Sequence, residues 1–258
     1  MDVFLGIDTS CYTTSLCLVD GAYSVVADER IILSVAKGGR GLSQSNMVYQ
    51  HTRNLPVLFE RLAAILTQNH IRAIAVTDQP RRRDDSYMPA FLAGLGYGRA
   101  LAAVLGVPLY CLSHQENHLL AVLRSLGHIG SEPFYGIHLS GGTTDLLRAV
   151  PDERGLDITR IGGTSDISAG QFIDRMGVAL DLPFPAGVHV DKLAQTVDPP
   201  VKGAHVFCRD GQISFSGPES QGQRRIAAGG EDPERLCSWT LSTVWRGLES
   251  LLDYESHR

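Results

Sequence analysis

The chain has 258 residues, of which 43% are hydrophobic, and a formal net charge of −5. This composition is typical of a soluble globular protein with one large domain or two small ones, and it excludes a strongly basic nucleic-acid-binding chain. Five cysteines occur without a CxxC pair, which is typical of free thiols in a reducing compartment. We see no signal peptide and no apolar run long enough to span a bilayer. We therefore expect a cytoplasmic protein with no membrane contact.

The first half of the chain is predicted to begin with three strands and then to alternate helices and strands. Apolar runs predict strands at 3–7, 15–19, within 22–33, at 71–76 and at 107–113. Helical periodicity and small residues predict helices at 46–68, at 91–105 and from 114 onwards. Pro56 either kinks the first helix or opens a second one, and Gly38–Gly41 is predicted to be a flexible loop. The order is typical of an α/β fold.

His114 and His118 are predicted to lie in the first turn of the helix that follows the strand at 107–113. Residues at positions i and i+4 share one helix face, so the two imidazoles can chelate one divalent transition metal. Open α/β sheets also bind their ligands at the carboxyl ends of strands. The alternative is that both are ordinary histidines without a metal, near the start of a helix that one of them caps. The pattern alone leaves both interpretations open.

A strand–turn–strand segment occurs twice. Gly6–Leu16 aligns without gaps with Gly136–Leu146, and the Gly, Ile, Ser, two Thr and Leu positions coincide. A duplicated unit that opens with a hairpin indicates the actin-like, sugar-kinase-like α/β fold with two halves and mixed sheets. We predict a first half at 1–132, which carries the histidine pair, and a second half at 133–258.

In that fold, each half offers a turn of small residues to the phosphates of a nucleotide bound between the halves. Backbone N–H groups in such turns form anion-binding nests. The turn Ser140–Thr143 is the better candidate of the two, because Gly141 and Gly142 allow the backbone to approach a phosphate closely.

The second half is predicted to continue with fewer elements than the first. The predicted elements are a strand at 157–161, a helix from 166, a turn at 182–187 leading into 188–194, a strand end at 213–217 and a helix at 233–252. Asp166 or Ser168 caps the first of these helices. Asp174 is either a solvated helix charge or an acceptor for ribose hydroxyls. Because counterparts of the last strands of the first half are missing, we expect an open apolar sheet edge and a chain that is incomplete as a catalyst.

Taken together, short motifs along the chain resemble the TsaD-like family, whose members were once called O-sialoglycoprotein endopeptidases and classed as metallopeptidases. The order and spacing of these motifs carry the resemblance. They are Gly6–Cys11, His51–Arg53 with Pro56, Gly106–Pro108, His114–Leu120, Ser140–Thr144, Ala169–Gly170 with Asp174, Pro185–Gly187 and Phe215–Gly217.

The resemblance implies a transfer reaction on tRNA. A threonylcarbamoyl group would pass from threonylcarbamoyl-AMP to the exocyclic amine of the adenine beside the anticodon. It also implies one divalent metal, iron or zinc, at His114 and His118, and an adenine nucleotide (threonylcarbamoyl-AMP, ATP or AMP) as ligand. The implied partners are tRNA and the other proteins of the threonylcarbamoyladenosine pathway. The implied nucleotide contacts are His138, Leu139, Ser140, Gly141, Gly142, Asp174, Gly187 and Asp191.

The chain also departs from the family pattern. Tyr12 replaces an acidic residue, Thr143 replaces a histidine, and Asp78–Asp85 replaces a Gly-rich loop. The family's last metal-ligand aspartate would lie beyond position 258. Two alternatives therefore stay open: a non-catalytic, nucleotide-binding partner subunit, and a metal-dependent endopeptidase.

Two charged features could bear on the chemistry, although we identify no general base. An endopeptidase would need a base near the metal, but Glu116 follows His114 by two residues and so lies on another helix face. We expect Glu116 either to support the site or to be exposed to solvent. The run Arg81–Arg83 either contacts phosphates of the nucleotide or tRNA, or is an exposed charged loop.

Overall fold

The computed structural model describes residues 1–35, 42–127 and 130–256, so the predicted loop Gly38–Gly41 lies outside the described residues. The chain divides into two compact units. The first comprises Met1–Glu132 and Val150–Asp157, and the second comprises Pro133–Ala149 and Ile158–Arg258. Within the described ranges, no helix is both long enough and apolar enough to cross a membrane.

The first unit contains a five-stranded mixed sheet with the strand order β3-β2-β1-β4-β5. Strand β1 pairs antiparallel with β2 and parallel with β4, which in turn pairs parallel with β5. The elements in chain order are β1 (Asp2–Asp8), β2 (Thr13–Asp20), β3 (Val25–Ile32), α1 (Gln44–Gln68), β4 (His70–Gln79), α2 (Phe91–Leu105), β5 (Leu109–Ser113) and α3 (His114–Ser125). All the predicted elements of this half are therefore present.

Helix α1 settles one alternative left open by the sequence. It is a single helix that runs through Pro56, so Pro56 does not open a second helix. Its buried leucines, Leu55, Leu58 and Leu62, recur at helical spacing and belong to the same hydrophobic core as the buried side chains of β2, against which α1 packs. This packing stabilises the helix despite the hydrogen bond that proline cannot donate.

The second unit holds most of a four-stranded sheet with the strand order β6-β7-β8-β9. The turn between β7 and β8 belongs to the first unit. The elements are β6 (Phe134–Leu139), β7 (Thr144–Asp152), β8 (Gly155–Thr164), α4 (Ala169–Ala179), α5 (Gly187–Ala194), β9 (Gln212–Ile213), α6 (Ser216–Ala228) and α7 (Pro233–Ser256). The cap of α4 is Ser168, not Asp166, and Ser168 forms a capping box with Gln171.

The two hairpins share one pairing register, which supports the predicted duplication. Ile7 lies opposite Leu16 in the first hairpin, as Ile137 lies opposite Leu146 in the second. Each hairpin is followed by a third strand and then by helices. The chain therefore has an α/β fold with two mixed sheets, each opened by the same hairpin.

Candidate functional site

The histidine pair lies at the carboxyl end of β5, as predicted. Ser113 is the N-cap of α3 and forms a capping box with Glu116, so His114 is the first helical residue and not the cap. The Nε2 atoms of His114 and His118 are 2.9 Å apart. Two imidazole lone pairs at this distance repel each other unless a proton or a cation lies between them. The contact is therefore satisfied either by a hydrogen bond from one neutral ring to the other or by a cation that both nitrogens bind.

Asp8 lies next to Nδ1, the other ring nitrogen of His114. Its Oδ2 atom lies 3.4 Å from His114 Nδ1 and accepts a 2.9 Å hydrogen bond from the Asn117 side-chain amide. Its Oδ1 atom accepts bonds from the Ser10 backbone amide at 2.7 Å and the Thr77 hydroxyl at 3.0 Å. Burial raises the pKa of Asp8, but hydrogen bonds from His114 and Ser10 and the charge of His114 outweigh it and lower the pKa to about 2. Asp8 is thus a fixed carboxylate.

Asp8 was not among the site residues predicted from the sequence. The signal was the position of Asp8 at the carboxyl end of β1, because β1, β4 and β5 are parallel and end at the same edge of the sheet. Strand order was needed to bring Asp8 and His114 together.

The donor atoms of the pair fit two ligands of one divalent ion. Two imidazole nitrogens at about 2.0–2.1 Å from a tetrahedral zinc stand roughly 3.3 Å apart, so the observed separation of 2.9 Å would have to widen by a few tenths of an ångström. A carboxylate beside the second ring nitrogen, as Asp8 provides for His114, is a usual support of a metal-bound histidine. Among the described residues, no group of three or more His, Cys, Asp or Glu side chains is arranged to hold a metal.

Glu116 is fully buried, which excludes exposure to solvent, one of the two alternatives that the sequence left open. Its Oε2 atom accepts the Ser113 backbone amide at 2.7 Å, and its Oε1 atom accepts the Leu156 backbone amide at 2.9 Å. Arg82 Nη2 lies 3.0 Å from the same Oε1 atom. A carboxylate engaged by three donors in this way is poorly placed to act as a base at the histidine pair.

The arginine run does not form one uniform exposed loop. Arg82 is half-buried and bridges Glu116 and Asp152, whose Oδ2 atom lies 2.8 Å from Arg82 Nη1. Arg83 instead forms an exposed ion pair with Asp85 at 2.8 Å. The prediction of an exposed charged loop therefore holds for Arg83 and is wrong for Arg82.

A buried histidine orders the turn after β1. His51 Nε2 lies 3.2 Å from the Cys11 carbonyl oxygen, which can only accept, so Nε2 carries the proton. His51 Nδ1 then accepts from the Thr14 hydroxyl at 2.8 Å, and Thr14 accepts from the Asn54 amide at 3.1 Å. Burial lowers the pKa of His51, which agrees with a neutral ring.

In the second unit, the predicted phosphate turn begins directly after His138 and Leu139, the last residues of β6. The Ser140 amide donates to the Thr143 carbonyl at 2.9 Å, which closes the turn. A Cβ atom on Gly141 or Gly142 would meet no protein atom within 4 Å, so the backbone of both glycines is open to an approaching ligand.

The turn packs on the amino end of α4. The Ser168 hydroxyl donates to the Gly141 carbonyl at 3.0 Å and also caps the helix through the Gln171 amide. At the amino end of α4, the Ala169 amide donates to the Thr144 hydroxyl at 2.7 Å and the Gln171 amide donates to the Ser168 hydroxyl at 3.1 Å. The helix end therefore favours an anion mainly through its partial positive charge. The turn and this helix end together form a candidate phosphate site.

Asp174 lies further along α4, next to a cavity of 360 Å³. Its Oδ1 atom accepts the Ala186 backbone amide at 2.7 Å, just before Gly187 begins α5. Asp191, also on α5, accepts a 2.9 Å bond from the Gln195 side chain. The cavity is lined by Asp174, Arg175, Val178, Ala179, Phe184, Glu219 and Gln223. This cavity is wide open to solvent, and neither the turn Ser140–Thr143 nor Gly187 nor Asp191 lines it.

The family model described as "tRNA N6-adenosine threonylcarbamoyltransferase" (TsaD) matches residues 34–253. A curated protein of that name from Sulfurihydrogenibium sp. is 31% identical over 88% of this chain and 66% of its own length. Another, from Syntrophobacter fumaroxidans, is 30% identical over 83% of this chain and 62% of its own length. The chain belongs to the TsaD family, and it spans less than two thirds of the length of these relatives.

Solved structures place the fold in a wider class. The activator of 2-hydroxyisocaproyl-CoA dehydratase from Clostridium difficile, solved with bound ADPNP, is similar to this chain with a TM-score of 0.50 and 15% identity over 98% of this chain and 75% of its own. Component A of (R)-2-hydroxyglutaryl-CoA dehydratase from Acidaminococcus fermentans is similar with a TM-score of 0.51 and 12% identity, over 98% of this chain and 79% of its own. These neighbours confirm the predicted actin-like, sugar-kinase-like fold.

Proposed function

We propose that this chain transfers a threonylcarbamoyl group from threonylcarbamoyl-AMP to the exocyclic amine of adenine in tRNA. Family membership supports the reaction, and the observation that carries it to this chain is the convergence of His114 and His118 on one point in a chain of that family. The curated relatives carry the name of this transferase.

The reaction is an acyl transfer in which atoms balance without an oxidant or reductant. The adenine nitrogen attacks the carbamoyl carbon, the bond from that carbon to the phosphate oxygen breaks, and AMP leaves while the amine loses one proton. The turn Ser140–Thr143 and the amino end of α4 would hold the phosphate and stabilise the charge that develops on it. Asp174 would accept a ribose hydroxyl, with Gly187 and Asp191 bordering the nucleoside.

His114 and His118 would hold the divalent metal, iron or zinc. When bound, a metal of this kind supplies a Lewis acid for phosphate or carbonyl oxygens. Asp8 would keep His114 oriented through its Nδ1 atom, so that Nε2 stays directed at His118. The metal content of the purified protein should fall to background in a His114→Ala/His118→Ala variant, and equal content in both proteins would contradict the assignment.

The direct test of the transfer uses synthetic threonylcarbamoyl-AMP and a tRNA transcript with adenine beside the anticodon. Mass spectrometry of the nucleosides should detect threonylcarbamoyladenosine with the wild-type chain and much less with Asp174→Ala. Calorimetry with AMP tests the phosphate turn independently, by comparing the AMP affinity of the wild-type chain with that of Gly141→Val. Unmodified tRNA in the presence of the other pathway proteins would contradict a catalytic role.

The partner-subunit alternative is supported by Tyr12, which is exposed in the turn after β1 where the family has an acidic residue. Adding this chain to a longer TsaD relative separates the two functions. Stimulation of the relative's transfer without any transfer by this chain alone would favour the partner role. The endopeptidase alternative is weakened by Glu116, which is buried and bound to three donors.

A further inference from the structure

Arg82 joins two carboxylates from separate elements of the first unit. Its Nη2 atom lies 3.0 Å from Glu116 on α3, and its Nη1 atom lies 2.8 Å from Asp152 at the end of β7. Glu116 also accepts the Leu156 backbone amide at the start of β8. We refer to Arg82, Glu116, Asp152 and Leu156 as the Arg82 clamp. It fastens the turn between β7 and β8 to the first turn of α3.

The clamp has little freedom to rearrange. The Glu116 side chain is 1% exposed, and a buried carboxylate that loses its cationic partner is strongly unfavourable. Gly155 has φ +137, and a Cβ there would stand 2.6 Å from Glu116 Oε1. The turn therefore fits against Glu116 only because residue 155 has no side chain.

Glu116 lies between the two histidines on α3, but on another face of the helix. At 100° per residue, position 116 is turned well away from the side shared by 114 and 118. Asp8 contacts that opposite side through His114 and Asn117. The first turn of α3 is therefore held from two directions. The helix itself fixes the spacing between the histidines, so the clamp can only set where the pair lies relative to Asp8.

We propose that Arg82 is a positioning residue for the His114–His118 pair, acting through Glu116 to seat the first turn of α3 against Asp8. The part of this proposal that concerns metal affinity rests on the proposed function, whereas the part that concerns the placement of His114 does not.

The first test needs no metal. NMR of the chain labelled with ¹⁵N-histidine reports which ring nitrogen of His114 carries the proton, with His114→Ala supplying the assignment. In Arg82→Ala, the His114 ring signals should move and broaden as the contact with Asp8 loosens. Arg82→Lys should give an intermediate result, because one ammonium cannot bridge two carboxylates as a guanidinium does. Arg83→Ala is the matched control, since Arg83 pairs only with exposed Asp85 among its described ion pairs.

The second test is a titration with Co²⁺ followed by its visible spectrum, which reports ligand geometry. Arg82→Ala should bind Co²⁺ about tenfold more weakly than the wild type, as loss of outer-shell support usually does. Arg83→Ala should bind as the wild type does.

The outcomes separate the two proposals. Unchanged His114 signals and unchanged Co²⁺ affinity in Arg82→Ala would overturn the positioning role. Faster hydrogen exchange at the Leu156 amide in the same variant would then show that Arg82 only holds the turn between β7 and β8 in place. A wild type that binds no Co²⁺ would count against the proposed metal, and the ring signals would then decide the positioning role alone. If Arg82→Ala does not fold, Arg82→Lys and Asp152→Asn decide by the same signals.

Discussion

Gly170 lies so close to Ser140 that a Cβ atom on Gly170 would stand 2.5 Å from the Ser140 carbonyl oxygen. The same Cβ would stand 2.7 Å from the Cα atom of Gly141. Both neighbours are backbone atoms, which cannot move aside as the end of a flexible side chain can. The shape of the proposed phosphate turn therefore depends on a glycine in the first turn of α4.

The first prediction concerns Gly170→Ala. The methyl group should displace the turn and weaken binding of AMP by about tenfold or more, since about 1.4 kcal/mol of lost contacts corresponds to a factor of ten. Calorimetry measures the loss. Gly217→Ala is the control, because a Cβ at Gly217 meets nothing within 4 Å and should leave affinity unchanged. Equal affinities in all three proteins would show that the turn does not hold the phosphate.

The second prediction concerns His51 and pH. Burial lowers the pKa of His51 from its ordinary 6.5, so the unfolded chain binds this proton more readily than the folded chain. The contribution to stability is therefore fully present above about pH 6.5 and is lost as pH falls toward the lowered value. Urea unfolding at pH 5.5 and 7.5 should show a smaller pH dependence in His51→Gln than in the wild type. Parallel changes in the two proteins would contradict the neutral buried ring.

The third prediction concerns Asp166, which accepts the Ser214 hydroxyl and the backbone amides of Phe215 and Ser216. Burial raises the pKa of Asp166, but these hydrogen bonds outweigh it and lower the pKa overall. Its contribution should be present above about pH 3.8 and lost as pH falls below that value. Because Asp166 is partly exposed, Asp166→Ala should cost about 1 kcal/mol. Amide exchange at Phe215 and Ser216 should rise, whereas exposed Glu153→Ala should leave it unchanged.

The elements that the sequence predicted well have strong local signals. The apolar run of β1, the leucine spacing of α1 and the repeated hairpin each depend on residues close together in the chain. The His114–His118 contact is equally local, because both side chains lie on one helix. Ser168 and Asp166 are both residue types that cap helices, so the sequence left the choice open. In the structure Ser168 caps α4, whereas the Asp166 carboxylate accepts the distant Phe215 amide.

The features that the sequence did not predict depend on distant contacts. Asp8 reaches His114 through strand order, and Arg82 reaches Glu116 through a loop with no periodicity. Helix α6 was not predicted, and the strand end predicted at 213–217 is wrong for its last residues, because β9 ends at Ile213 and α6 begins at Ser216. Gly217, Pro218 and Gly222 are poor helix formers, which hid the helix. Gly222 is favoured there because a Cβ would stand 2.5 Å from the Met176 sulfur. Close packing therefore outweighs intrinsic helix preference at α6.

The last prediction compares Ile7 and Ile137, which occupy the same position in the two hairpins. Ile7 is 2% exposed, and α2 approaches it so closely that a Cβ on Gly94 would stand 3.3 Å from its side chain. Strand β4 also pairs with β1 on the side away from β2. Ile137 is 37% exposed, because β6 is the end strand of its sheet in the part of the chain that the structure describes.

The same substitution should therefore destabilise the chain strongly at Ile7 and only slightly at Ile137. Ile7→Lys buries an unpaired ammonium and should lower the free energy of unfolding by about 3 kcal/mol or more, measured by urea titration. Ile137→Lys should change stability by no more than about 1 kcal/mol. It should also reduce concentration-dependent association in sedimentation experiments, because a lysine on an exposed edge strand blocks pairing with a second copy. Equal destabilisation by both variants would mean that β6 is covered as β1 is, and that the two hairpins share their environment as well as their register.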